Sequence, residues 1–130
     1  MNGSQAAEIA REAARGQGTY FTALSGQMCW DAVAACQGRN PGRGVAETDP
    51  VVSAAEDIYT VPEGASVGFF DNGTLVHEMI SVGNGEACGN KNECIGIGHA
   101  IGWEMLDLAG ATWNNGRFGP RNLIVRYRAM

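Results

Sequence analysis

The chain predicts an α+β fold, with helices in its amino-terminal half and an antiparallel sheet in its carboxy-terminal half. Alanine-rich and small apolar segments come first, and from Ser66 onward the hydrophobic pattern changes from helical to extended. Helices followed by strands in this order are typical of the α+β class. The chain has 130 residues, 45% of them hydrophobic and 18% charged, which fits one globular domain.

Three helices are predicted from segments that carry start and stop signals. Ser4 caps the first helix, Gly38 ends the second, and Pro50 stands at the first helical position of the third. The side chains of the second helix are small and apolar, so we expect this helix to be buried. The three helices cover residues 4–15, 28–37 and 49–59.

The strands are predicted from a hairpin signal and from later extended runs. Two apolar runs flank the turn sequence Asp-Asn-Gly at residues 71–73. Residues 83–92 are rich in Gly and Asn, and we expect them to turn the chain again. The predicted strands cover residues 67–70, 75–82, 93–98, 103–108 and 123–127.

The charge and the hydrophobicity of the chain argue against nucleic acid and membranes as its partners. The net charge is −5 and no Lys/Arg stripe is present, which argues against nucleic acid and against an anionic membrane surface. No apolar run approaches the roughly 18–20 residues that span a bilayer, and the amino terminus has no apolar signal core. We predict a helix or linker remnant over residues 1–18 and the functional domain over residues 19–130.

Four cysteines raise the question of a metal site or a disulfide. Cys29 and Cys36 lie seven residues apart and Cys88 and Cys94 six apart, which is wider than the gaps of zinc sites, so we predict no metal and no cofactor. Cys36 lies on the same helical face as Cys29, two turns on, where a small buried residue fits. Cys88 and Cys94 form either a disulfide across a hairpin or two buried thiols.

Cys29 is the candidate nucleophile because it falls in the first turn of the second helix. Unpaired N–H groups and the helix dipole favour a thiolate there, so we expect a lowered thiol pKa. The chain has two histidines, His77 in a strand pattern and His99 in a glycine-rich stretch. Because strands hold side chains in place better than loops do, His77 is the predicted base.

These residues resemble the papain-like cysteine peptidases and their relatives among bacterial effector toxins and glutamine deamidases. The sequence GQMCWDAV places Trp30 directly after Cys29 at a helix start, as the family does. The order of a helix-borne Cys, a strand-borne His and a polar residue at the next strand also matches. Asn92 lies fifteen residues after His77, where family members carry the Asn or Asp that orients the histidine. The resemblance covers residues 25–98.

The resemblance implies a papain-like fold and a role for each site residue. Asn92 would orient His77, with Asn90 and Asn84 as rivals. Gln27 would donate to the oxyanion, although the family places this glutamine several residues before the nucleophile and here it is two before. The N–H of Cys29 is one further oxyanion donor and Ser25 a second, and Trp30 would touch the substrate.

The resemblance also implies a function. We expect a thiol peptidase that is secreted or injected as a bacterial effector toxin. Its substrate would be a cytoplasmic protein of a competing bacterium or of a host cell. Its producer would need a cognate immunity protein. Deamidation or transamidation of glutamine uses the same groups and stays open, as does a non-catalytic binding module with Cys29 as an ordinary buried thiol. We interpret Glu104 and Asp107, three residues apart near one strand end, as solvated carboxylates, and we predict no acid/base pair among them and Glu78.

Overall fold

Three amino-terminal helices and an antiparallel sheet make up the part of the protein that the computed structural model describes, residues 1–53, 55–92, 101–108, 113–114, 117–119 and 121–130. The helices are α1 (Gly3–Ala14), α2 (Thr19–Ser25) and α3 (Cys29–Gln37), and a 3-10 helix covers Ala55–Thr60. The strands are β1 (Ser66–Asp71), β2 (Thr74–Gly83), β3 (Glu86–Asn90), β4 (Trp103–Asp107), β5 (Trp113–Asn114), β6 (Arg117–Phe118) and β7 (Leu123–Arg128).

Sheet order follows the hairpin that the sequence predicts. Within the described part, the strands lie in the order β4-β3-β2-β1-β7-β6-β5, and neighbouring strands are antiparallel. The α+β class is therefore confirmed, as is the β1–β2 hairpin. Among the described residues, no helix has both the length and the apolar character needed to cross a membrane.

α1 begins one residue earlier than predicted, at Gly3, after a capping box. Asn2 Oδ1 accepts from the N–H of Gln5 at 2.9 Å, and Gln5 Oε1 accepts from the N–H of Asn2 at 2.8 Å. The predicted cap, Ser4, is wrong because it already lies inside the helix. The buried face of α1 consists of four alanines that share a core with α3: Ala6, Ala7, Ala10 and Ala13.

Two cores lie on opposite faces of the sheet, because successive strand residues point to opposite sides. Ile80 of β2 packs on the helical side with Val33 and Cys36 of α3. Its neighbour Met79 packs on the other side, where Ile58 of the 3-10 helix covers the sheet. Cys36 is fully buried, which confirms its predicted packing role.

The predicted third helix is wrong over most of its length. Val51 forms a bridge with Arg126 of β7, and the N–H of Val52 donates to the carbonyl of Val125 at 2.9 Å. The segment therefore runs extended beside the sheet, which suits its β-branched valines. A helical turn forms only at the 3-10 helix.

Five further segments differ from the sequence prediction or lie outside the part that tests it. The segment 83–92 is wrong as a turn because β3 forms within it and pairs with both β2 and β4. α2 and the short strands β5 and β6 were not predicted, since each is too short to show a clear period. The predicted strand over residues 93–98 lies outside the described residues.

Candidate active site

The candidate nucleophile stands at the first residue of α3. The residue before Cys29, Met28, is extended with φ −60° and ψ 145°, so the helix begins at Cys29, one residue after the predicted start. Cys29 lies in the first turn, as predicted. The N–H groups of this first turn have no partner within the helix. The segment that leads into the helix is tied to β3, because Asn90 Nδ2 donates to the carbonyl of Gln27 at 2.7 Å.

β2 carries a β-bulge directly before the candidate base. In the register with β1, Phe69 opposes His77. The next residue of β1, Phe70, opposes Leu75, which leaves Val76 as the extra residue. Bulges occur often beside active sites because they re-aim a side chain. The ring of His77 lies 5.9 Å from the ring of Phe69, centre to centre.

A cavity of about 220 Å³ lies where β2 and β3 separate next to the bulge. The pairs between these strands run from Gly83 with Glu86 to Ile80 with Cys88, and the described residues contain none beyond them. All five residues predicted for the site line this cavity, together with Asn90: Gln27, Cys29, Trp30, His77 and Asn92.

His77 is a buried, neutral imidazole. Its side chain is 1% exposed, and neither ring nitrogen has a hydrogen-bond partner. Burial lowers the pKa of His77 to about 4, against a smaller opposing effect of the Asn90 carbonyl. The ring is therefore uncharged at neutral pH and able to accept a proton.

The Cys29 thiol has a raised pKa, which makes the predicted lowering wrong. Burial of this half-buried side chain is the main cause, and the negative charge of Glu78 adds to it. Backbone N–H groups of Glu78, Trp30 and Cys29 itself act in the predicted direction and lower the pKa, but burial outweighs them. The thiol is protonated at neutral pH, and no hydrogen bond joins it to His77.

Two asparagines remain next to the histidine. Asn92 is half-buried and lines the cavity just after β3. Asn90 is 7% exposed, its carbonyl faces His77, and its Oδ1 is buried without a hydrogen-bond partner. Asn84 lies in the exposed turn between β2 and β3, away from the cavity, so the geometry removes it as a candidate. The rejected base, His99, lies outside the described residues.

The side chains predicted to assist at the oxyanion take part in local hydrogen bonds. Gln27 Nε2 donates to the carbonyl of Ala23 at 3.0 Å, which uses one of its two N–H groups. Ser25 Oγ donates to the carbonyl of Phe21 within α2. The N–H of Cys29, at the start of α3, remains the donor with the most direct position.

Sequence reasoning missed a buried carboxylate beside the base. Glu78 is 0% exposed; its Oε1 accepts from the N–H of Gly44 at 2.9 Å, and its Oε2 lies 3.3 Å from Arg39 Nη2. Burial raises the pKa of Glu78 to about 7 despite these partners. Glu78 is buried because β2 is covered on both faces, as its apolar residues on both sides could have indicated.

The remaining cysteine predictions concern metals and disulfides. No group of three His, Cys, Asp or Glu residues in the described part of the chain could hold a metal ion. Cys88 is a free and fully buried thiol on β3. Cys94, its predicted partner, lies outside the described residues.

The chain was compared with known proteins in three ways. Neither the protein-family models, nor the curated proteins, nor the solved structures contained a match. The chemistry of the site therefore has to be argued from its own residues.

Proposed function

We propose that this chain is a papain-like cysteine peptidase that acts as a bacterial effector toxin on a cytosolic target protein. One observation carries the peptidase assignment: a thiol at a helix start and a buried neutral imidazole line the same cavity. These groups are Cys29 and His77, and neither imidazole nitrogen has a hydrogen-bond partner, so the unprotonated one can accept a proton. The toxin role is supported by the sequence resemblance.

The proposed reaction begins with two neutral groups. As the thiol of Cys29 attacks a peptide carbonyl carbon, His77 accepts its proton, because a protonated thiol is a poor nucleophile. The Asn90 carbonyl, which raises the pKa of His77, stabilises the imidazolium that results. The N–H of Cys29 stabilises the oxyanion, the amine leaves with the proton, and water hydrolyses the thioester.

The catalytic hydrogen bond would form when substrate binds. Hydrogen bonds of catalytic pairs are often long in free enzymes and shorten in the substrate complex. Here the β-bulge at Val76 and the unpaired end of the β2–β3 ladder leave the backbone around His77 with fewer constraints than a continuous sheet.

Alkylation of Cys29 by iodoacetamide tests the pairing. At pH 7.5 we expect site-resolved mass spectrometry to find labelling of Cys29 that slows about tenfold or more in His77→Asn, since general-base assistance contributes ~10²–10⁴-fold in enzymes. Cys36 and Cys88, both fully buried, are internal controls that should stay unlabelled in the folded protein. Equal Cys29 rates with and without His77 would remove the base from the proposal.

Expression in a bacterial cytosol tests the toxin role. The wild type should arrest growth and Cys29→Ala should not, at equal protein levels. Labelling of new amino termini in the arrested cells would identify peptide-bond cleavage. A mass gain of about one dalton at glutamine, without new termini, would assign deamidation by the same groups. Equal growth of the two strains counts against a toxic enzyme.

A non-catalytic binding module is the second candidate, and specific observations favour it. The Cys29 thiol pKa is raised rather than lowered. His77 lies on the sheet face of Phe69 and Met79, whereas α3 packs on the face of Ile80. This candidate predicts slow Cys29 alkylation that does not depend on His77.

A further inference from the structure

One cation lines the cavity that holds Cys29, and a second lies over a side chain of its wall. Lys91 follows β3 and lines the cavity directly. Arg43 lies over the ring of Trp30, with 4.8 Å between its guanidinium carbon and the ring centre, and Trp30 lines the same cavity. The ion pairs of the described residues involve neither Lys91 nor Arg43. The cavity and the adjoining face of Trp30 therefore carry two cations in a chain of net charge −5.

The loop that carries Arg43 is held in place by interior contacts. Arg39 contacts Glu78 at 3.3 Å and donates to the carbonyl of Gly42 at 2.7 Å. Its guanidinium therefore connects the loop to β2. The N–H of Gly44 donates to the same buried carboxylate at 2.9 Å. Arg43 lies between these two anchors, which fixes its backbone beside Trp30.

Stacking leaves Arg43 able to bind an anion. A guanidinium over an aromatic ring uses its flat face, while its N–H groups point outward along the edge in the fork that matches a carboxylate. An ammonium such as that of Lys91 binds a carboxylate as a point charge. No acidic residue lines the cavity among the described residues, so Lys91 faces no competing carboxylate there.

We propose that Arg43 and Lys91 form a subsite for an acidic substrate, in which a carboxylate next to the reacting carbonyl binds the two cations. The proposal rests on the proposed function and deepens it, since it names an acidic polypeptide segment as the substrate class. Two residues that line the cavity also carry buried polar atoms without a hydrogen-bond partner, the His77 ring nitrogens and Asn90 Oδ1, and a ligand that reached these atoms would complete their hydrogen bonds.

Paired alkylating reagents test the subsite without a known substrate. Iodoacetate carries a carboxylate and iodoacetamide is its neutral counterpart, so the ratio of their rates at Cys29 measures the local attraction for anions. At low ionic strength we expect Arg43→Gln and Lys91→Gln each to lower this ratio by about three- to tenfold, and Arg43→Glu to lower it further. Sodium chloride at 0.5 M should reduce these differences.

Arg15→Gln is the matched control, because it removes one exposed positive charge at the end of α1. The control should leave the ratio unchanged. A ratio that stays at its wild-type value in both cavity variants, or that falls equally in Arg15→Gln, overturns the subsite. The rate with iodoacetamide alone, and its dependence on His77, reports on the peptidase proposal, so the two failures can be told apart. Failure of both reagents to label Cys29 overturns both proposals.

Peptide selection extends the test to turnover. A set of peptides in which Asp or Glu beside the cleavage point is replaced by Asn or Gln should be cut more slowly by the wild type. Arg43→Gln should lose most of this preference. Equal rates for acidic and amide peptides in the wild type would contradict an acidic substrate.

Discussion

At the scale of single residues, burial decides the protonation states of the site. Three backbone N–H groups lower the pKa of Cys29, yet burial raises it further, so the position at a helix start does not produce a thiolate. Burial acts on His77 in the opposite sense because imidazole is charged when protonated. The same physical cause therefore keeps both groups neutral, and any proton transfer between them must accompany the reaction.

Asn90 offers a residue-scale prediction. Asn90→Ala removes the 2.7 Å hydrogen bond to the Gln27 carbonyl and leaves that carbonyl without its partner. We expect a loss of about 1–3 kcal/mol in the free energy of unfolding, measured by urea denaturation. Asn84→Gly is the control, since it removes the same side chain from an exposed turn with φ 55°, which glycine accepts. Equal losses in the two variants would contradict a special role for Asn90.

At the scale of elements, the loop between α3 and residue 45 depends on one buried carboxylate. Glu78 of β2 holds this loop through Arg39 and the N–H of Gly44. Removing only one member of a buried pair leaves an uncompensated charge, which costs more than removing both. The loop, Arg43 and the proposed subsite therefore depend on an interaction that crosses from the loop to the sheet.

Arg39→Met tests this dependence. At pH 8, where Glu78 is ionised, we expect a loss of about 3–5 kcal/mol in the free energy of unfolding. At pH 5, below the Glu78 pKa of about 7, the carboxyl is protonated and the loss should be smaller. The double variant Arg39→Met/Glu78→Gln should recover stability at pH 8. A loss that is the same at both pH values and is not recovered would show that the pair does not anchor the loop.

At the scale of the whole molecule, two buried groups give stability opposite pH dependences. The pKa of Glu78 is raised from 4.5 to about 7, so its contribution is present below pH 4.5 and is lost as the pH rises through 7. The pKa of His77 is lowered from 6.5 to about 4, so its contribution is present above pH 6.5 and is lost as the pH falls through 4. Between pH 4.5 and 6.5 the two slopes cancel.

Single substitutions should separate the two slopes. Relative to the wild type, the free energy of unfolding of Glu78→Gln should rise with pH by about 1 kcal/mol per unit between pH 4.5 and 6.5, because only His77 still titrates. That of His77→Phe should fall by a similar amount. Urea denaturation at four or five pH values across this window measures both. Curves parallel to that of the wild type would contradict the two burial effects.

Sequence signals that act over a few residues determined the α+β class, the β1–β2 hairpin and the position of Cys29 in the first turn of α3. Those features depend on local sterics and on the period of apolar residues, which the sequence displays directly. Position on predicted elements and the family resemblance together selected five residues that the fold brings to one cavity.

Contacts between distant residues decided the rest. Pairing with β7 made Val51 extended rather than helical, and pairing with β2 and β4 turned a Gly-rich segment into β3. The bulge before His77, the burial of Glu78 and the net pKa of Cys29 depend on which surfaces cover each group. The sequence does not show which surfaces bury a given residue, because strand register and desolvation arise only when remote segments pack together.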